Sequence, residues 1–215
     1  MPATLSDRTI GRLSLYRRLL GELSADGVRY VFSHDIARGA GLTAAQVRRD
    51  VMAVGFTGTP TRGYDVRGLA DSIAALLDGA ETQNVALVGI GNLGRAILAF
   101  FFGRRPSLRI VAAFDRDPQR TGRIVHGCRC YAMGEMDAIV AAERITVGII
   151  AVPASQAQRV ADELVRAGVR GILNFAPAAL RVPDNVYVEQ VDITASLEKV
   201  AFFARLQETA EGLRT

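Results

Sequence analysis

Gly89-Ile90-Gly91-Asn92-Leu93-Gly94 has the GxGxxG spacing of a loop that holds a diphosphate. Its flanks give that spacing meaning. The apolar run Val85-Ala86-Leu87-Val88 reads as a buried parallel strand, and Arg95 to Phe101 reads as a helix. Gly89 permits a tight turn, Gly91 lets backbone N–H groups approach the diphosphate, and Gly94 allows close packing of helix on strand. The helix start adds unpaired N–H groups and a partial positive charge. A second strand-like run, Leu108 to Phe114, ends on Asp115, 21 residues past Gly94, and Arg116 follows it. A carboxylate there would accept from the two adenosine-ribose hydroxyls and repel a 2′-phosphate. The expected ligand is NAD(H) rather than NADP(H), held by the loop residues, Asp115 and Arg116.

A second set of residues points to DNA. Thr43-Ala44-Ala45-Gln46 has capping-box spacing, so a helix is expected over residues 43–54. On a helical wheel Ala44, Val47, Val51 and Val54 share one side, Arg49 points directly away, and Arg48 lies nearer the edge of the apolar face. A shorter helix, His34 to Ala40 with Ser33 as N-cap, precedes it across a Gly39–Gly41 turn. Helix, glycine turn and capped basic helix form a helix-turn-helix, with residues 43–54 as the recognition helix. Gly55, Gly58, Gly63 and the strand-like Tyr64-Asp65-Val66 predict a two-stranded wing with a mobile tip carrying Thr59, Pro60 and Arg62. The candidate DNA-contacting residues are Thr43, Gln46, Arg48, Arg49, Arg62 and Tyr64. A purely structural three-helix module with solvated arginines is the competing reading.

These sites must be positioned by flanking elements. Ile10, Leu13, Tyr16, Leu20 and Leu23 place an amphipathic helix from about Ser6 to Ser24, and Val66, Leu69, Ile73 and Leu76 place another that ends near Gly79. The polar stretch Gly79 to Asn84 reads as a domain boundary. Beyond it, helices at 134–143 and 155–167 alternate with strands at 146–152 and 169–175, and Val186 to Val191 adds a last strand. That order demands a parallel sheet with right-handed crossovers. Ligands on such sheets lie at the carboxyl ends of the strands, which gathers Val152-Pro153, Asn174-Phe175 and Asp115 around one crevice. A terminal helix from Thr194 is apolar almost all round at Val200-Ala201-Phe202-Phe203-Ala204, so it needs cover from beyond its own domain, most economically from a second subunit.

Composition sets the bounds. The 215 residues are 49% hydrophobic, enough for packed cores, and carry a net charge of +4. That excess sits in residues 1–49, with eight Arg against four acids, and fits a polyanionic partner. No apolar run reaches membrane-spanning length and no signal pattern opens the chain, so a cytoplasmic location is expected. Cys128 and Cys130, with His126, offer at most three metal ligands and read as ordinary loop thiols.

Taken in order and with their spacings, Gln46-Val47-Arg48-Arg49-Asp50, Gly63-Tyr64, Gly89 to Gly94, Leu173-Asn174-Phe175-Ala176-Pro177 and Val191-Asp192 resemble the Rex family of redox-sensing transcriptional repressors. The resemblance spans essentially the whole chain. It implies a winged helix over 1–79, a Rossmann-type NAD(H) domain over 84–192 and a domain-swapped dimerisation helix over 193–215. It also implies a homodimer that binds palindromic operator DNA when NADH is low and releases it when NADH rises. Two positions depart from the family's pattern. Thr59-Pro60 stands where a basic pair is usual, and Phe100 stands where a Tyr joins an Arg and an Asp of the other subunit, here Arg18 and Asp192, in a state-dependent cluster. Without that hydroxyl the three-way cluster cannot form, although an Arg18–Asp192 pair can.

Two other functions compete. An NAD-dependent dehydrogenase needs a general acid near the nicotinamide. Here His34 falls in the helix-turn-helix, His126 in a loop and Lys199 on the terminal helix, and no second substrate domain exists. A CoA- or other nucleotide-binding module is the second alternative. Asp115, suited to ribose hydroxyls, weighs against it.

Overall fold

The computed structural model describes residues 5–79, 82–104 and 107–212, with the side chains of 208–212 left out. The chain divides into two compact units, Met1–Glu81 and Thr82–Thr215. Residues 80–81 of the expected boundary, 1–4 of the first domain and 213–215 of the terminal helix lie outside the described residues.

In the first unit α1 (Asp7–Ala25) starts at Ser6, whose side chain accepts from the Thr9 N–H. It buries Leu13, Tyr16 and Leu20, whereas Ile10 stays 38% exposed. β1 (Tyr30–Val31) leads into α2 (Ser33–Ala40) and α3 (Ala44–Ala53). β2 (Tyr64–Asp65) leads into α4 (Val66–Asp78), which ends at Gly79. Val47 and Val51 of α3 meet Ile36 of α2, the three buried α1 residues, and Val66, Leu69 and Ile73 of α4 in one core.

Two local expectations are corrected here. Ser33 is the first residue of α2 and does not cap it; Phe32 holds the N-cap position with no side-chain bond. Val66, read as strand, opens α4 because Asp65 caps that helix by accepting from the Gly68 N–H at 2.8 Å.

The second unit is a seven-stranded sheet. Its strands are β3 (Gln83–Val88), β4 (Leu108–Asp115), β5 (Ile124–Val125), β6 (Cys128–Ala132), β7 (Ile145–Ile150), β8 (Gly171–Asn174) and β9 (Tyr187–Gln190). They lie in the order β5-β6-β4-β3-β7-β8-β9, and all neighbours are parallel except β5 with β6. Without β5 this is the doubly wound dinucleotide-binding order. Alternation along the strands sends side chains to both faces. Ala86, Val88, Ala112 and Phe114 pack with α6 (Met136–Ala142) and α7 (Ala154–Ala167), while Val85, Leu87 and Ala113 pack with α5 (Asn92–Phe101).

Cys128 and Cys130 are not loop thiols. They are alternate, inward-facing residues of β6, 3% and 0% exposed, and burial raises their thiols to about 12 and about 11. At neutral pH they behave as small apolar core residues. The alternation Cys128-Arg129-Cys130-Tyr131 was the strand signal.

After β9, α8 (Ile193–Gly212) starts at Asp192, which accepts from the Ala195 N–H at 2.8 Å. Its large apolar residues remain uncovered: Ile193, Leu197, Val200, Phe202, Phe203 and Leu206 are 50–67% exposed.

Candidate functional site

Because β4 and β7 flank β3 on opposite sides, the chain leaves their carboxyl ends toward opposite faces of the sheet and opens a crevice there. Its volume is about 600 Å³, and Gly89, Gly91, Asn92, Leu93, Asp115, Arg116, Val152 and Pro153 line it, all of them expected site residues. Gly89 sits at φ +100°, where a Cβ would lie 2.5 Å from the Ala151 carbonyl oxygen. A side chain at Gly94 would collide with the Gly89 carbonyl. At Gly91 a Cβ would meet no protein atom within 4 Å, so the missing side chain leaves room on the crevice side. α5 begins at Gly91 with no side-chain cap, leaving its first-turn N–H groups for an incoming anion.

Asp115 is 6% exposed and tied to the loop it serves. Its Oδ2 accepts from the Ile90 N–H at 2.7 Å and from Arg120 Nη1 at 3.2 Å, and its Oδ1 accepts from the Asp117 N–H at 2.9 Å. Burial works to raise its pKa, but the two backbone donors and Arg120 outweigh burial and hold it below the usual carboxylate range. A charged Asp115 therefore fixes the glycine loop and keeps one Oδ1 lone pair for a hydroxyl donor.

Arg120 went unnoticed in the sequence. It also contacts Asp117 at 3.2 Å, and it lines the crevice with Arg116 and with Arg159, which pairs with Glu163 at 2.9 Å. Its position five residues past Asp115 was the available signal. The Gln156 amide oxygen, placed to satisfy both groups, accepts from Arg116 Nη1 and Nη2 at 3.0 and 3.2 Å.

Three expected site residues do other work. The Ile90 side chain is 3% exposed and packs in the core, so only its backbone faces Asp115. Asn174 is fully buried, and its amide is consumed internally. Its Nδ2 donates to the Ala178 carbonyl at 2.9 Å and to Gln190 Oε1 at 2.7 Å, while its Oδ1 accepts from the Ala176 N–H at 3.0 Å. Gln190 Nε2 completes the clamp on the Ala176 carbonyl at 2.8 Å. Asn174 thus shapes the loop after β8, and its side-chain amide is spent within the fold. Phe175 packs into the α5-side cluster, not the crevice wall.

The first unit presents its own chemistry. The capping box forms: Gln46 Oε1 accepts from the Thr43 N–H at 3.1 Å, and the Gln46 N–H donates to Thr43 Oγ1 at 3.2 Å. Thr43 and Gln46 therefore fix the start of α3 before they serve any ligand. Arg48 and Arg49 are exposed, and Arg48 Nη1 donates to Ser33 Oγ at 3.2 Å.

Asp50 is the residue the wheel missed. It is 4% exposed within the core-facing side of α3 and accepts from Arg12 Nε (2.6 Å), Arg12 Nη2 (2.7 Å) and the Tyr16 hydroxyl (2.9 Å). Burial would raise its pKa, but these donors outweigh burial and lower it. A bidentate Arg–carboxylate pair sets α3 against α1 and fixes the direction of Arg49.

The wing differs from expectation. Thr59 and Gly63 exchange both backbone hydrogen bonds, at 2.9 and 2.8 Å, and Arg62 N–H donates to Thr59 Oγ1 at 3.3 Å, so the turn is closed on itself. β2 then pairs antiparallel with β1, which lies ahead of the helix-turn-helix. Tyr64 packs its ring against Phe56 (centroids 6.5 Å apart) at the core margin. The proposed switch residues fall in both units. Arg18 is an exposed residue of α1, Phe100 is 57% exposed under the Arg104 guanidinium at 4.7 Å, and Asp192 caps α8.

Comparison with known proteins brings both sites together. Residues 80–178 match the CoA binding domain family and residues 4–51 the family described as putative DNA-binding protein N-terminus. The chain is 43% identical over 201 residues to the redox-sensing transcriptional repressor Rex of Carboxydothermus hydrogenoformans, covering 94% of this chain and 97% of that one. It is 42% identical to the Rex of Leuconostoc citreum, covering 91% and 90%. A solved structure of RSP in complex with β-NAD⁺ and operator DNA aligns with a TM-score of 0.87 at 32% identity, covering 99% of this chain and 98% of that one. RSP in complex with β-NADH aligns with a TM-score of 0.85 at 32% identity, covering 98% and 99%.

Proposed function

The chain belongs to the Rex family of redox-sensing transcriptional repressors, and from that premise we propose that it binds operator DNA through its first unit and is released when NADH occupies the crevice of its second. The observation that carries this reading is one chain holding both an uncapped α5 start facing a crevice closed by Asp115 and a capped, exposed basic helix α3. Residues 1–79 are the DNA-binding domain, 84–192 the NAD(H) domain and 193–215 the dimerisation segment. The exposed apolar α8 supports a homodimer, because a helix half uncovered along its large residues gains most from a second copy. Two recognition helices related by a two-fold axis then read a palindrome. The described residues contain no helix long and apolar enough to cross a membrane, and a repressor of DNA works in the cytoplasm.

The two nicotinamide forms share every phosphate and ribose contact, so those contacts give affinity without discrimination. They differ in the ring, neutral in NADH and cationic in NAD⁺. Val152 and Pro153 form an apolar part of the crevice, and a dimer that closes over it penalises the unpaired cation. A 100-fold weakening of operator binding requires a differential affinity of about 2.7 kcal/mol between the two forms. One buried ring charge is enough to supply it.

A gel shift on a palindromic, A·T-flanked duplex with and without NADH tests the proposal. Retained DNA binding at saturating NADH would sink it. The match to the CoA binding domain family and the exposed Arg116 lining the crevice favour a second reading, a CoA-type nucleotide as effector. Titrating CoA against NADH separates the two.

A further inference from the structure

We propose that Arg29, Tyr30 and Arg62 form a guanidinium–aromatic clamp that grips a backbone phosphate of the duplex beside the recognition helix. The inference rests on the DNA-binding reading above and assigns it a contact outside α3. Both guanidiniums lie over one ring, with the Cζ of Arg29 5.2 Å and that of Arg62 5.9 Å from the Tyr30 centroid. Both side chains are exposed, and neither has a carboxylate partner among the described residues. Arg12, Arg17 and Arg38 of the same unit are each neutralised by an aspartate.

Two like charges gathered on one aromatic ring repel each other, and the ring's attraction for each is modest at an exposed site. A phosphate seated between them reverses that repulsion. The guanidinium forks match its oxygens, and the Tyr30 hydroxyl adds a donor.

The backbone holds the clamp rigidly. Tyr30 pairs with Asp65 in the β1–β2 ladder, and the Val66 N–H donates to the Arg29 carbonyl at 3.0 Å. Gly63, at φ +76°, presses so close to the Val31 carbonyl that no side chain fits between them. The closed turn therefore presents Arg62 at a fixed place. The clamp also adjoins the candidate DNA face, because Arg48 of α3 reaches Ser33, three residues along the chain from Tyr30. Thr59 and Pro60 bring no charge to this turn, so the cations on this side come from Arg62 and from Arg29, the residue just before β1.

The test is operator and scrambled-duplex affinity across a salt series for wild type, the double variant Arg29→Gln with Arg62→Gln, and Arg49→Ala. The clamp predicts that the double variant loses the same factor on both duplexes and that the slope of log affinity against log salt shrinks by about 1, one phosphate's worth. Arg49→Ala should instead lose more on the operator than on the scrambled duplex. Thermal melting of the double variant should match wild type, since both side chains are exposed. An unchanged salt slope in the double variant, with wild type still binding DNA, overturns the clamp alone. Wild type that binds neither duplex overturns the DNA reading itself.

Discussion

At the residue scale, Asp115 serves two partners at once. Oδ2 holds the Ile90 N–H and thus the glycine loop, while Arg120 offsets part of the charge that would repel a 2′-phosphate. Cofactor preference is then a balance between the two side chains. Asp115→Ala should weaken NADH binding roughly tenfold or more and relax the NADH-over-NADPH preference, because one change removes both the ribose acceptor and the loop tether. Arg120→Ala should do the reverse and widen that preference by leaving the carboxylate unpaired. Fluorescence titration of both nucleotides against both variants measures this. Equal NADPH binding by wild type and Arg120→Ala would show that the guanidinium has no part in the choice.

At the scale of elements, α3 is held by a buried charge and the loop after β8 by a buried amide. The folded Asp50 carboxyl titrates below its unfolded value of about 3.9. Its stabilisation is therefore complete above that value and is lost as pH falls through the depressed folded one. Asp50→Asn should cost about 2–4 kcal/mol at neutral pH, since it strands the Tyr16 hydroxyl and Arg12. It should also flatten the acid dependence of melting. Identical melting curves at neutral pH would remove the anchor. Gln190 clamps Asn174 and the Ala176 carbonyl two residues before Asp192 starts α8. Gln190→Met keeps the length but not the bonds, so the loop loses definition. NADH affinity should fall several-fold with DNA binding in its absence retained. Unchanged NADH affinity would mean that the loop needs no latch.

At the scale of the whole molecule, the first unit carries Arg18 and the second carries Asp192, so a pair between subunits would tie domain position to nucleotide state. Asp192 also caps α8, so its removal acts on the helix start as well as on any such pair. A double-mutant cycle separates the two effects. Asp192→Ala should shrink the NADH-driven change in operator affinity while NADH still binds, and combining it with Arg18→Ala should be less than additive. Additive effects across the four variants, measured with and without saturating NADH, would assign the coupling to packing of α8 instead. Phe100, stacked under Arg104, contributes no hydroxyl to such a pair.

Local spacing alone determined much of this protein. The GxGxxG loop with its strand and helix, the Asp115 position, the Thr43–Gln46 capping box, the exposed Arg49 and the strand–helix alternation all depend on neighbours within about one element's length, where periodicity and capping chemistry act. What the tertiary structure decided depends on partners far apart in sequence. Asp50 is buried because Arg12 and Tyr16 reach it from 38 and 34 residues away. β1 is a strand only because β2 arrives from residues 64–65 to pair with it. β6 is a strand because β4 offers it an open edge, and that turns two apparent loop thiols into core. Asn174 read as a cofactor-binding residue because it sits at the carboxyl end of a strand. Only the arrival of Gln190 on β9 shows that its hydrogen bonds are already used. A polar group's role is set by whether its bonds are satisfied within the fold, and the distant partners that satisfy them come together only when the chain packs.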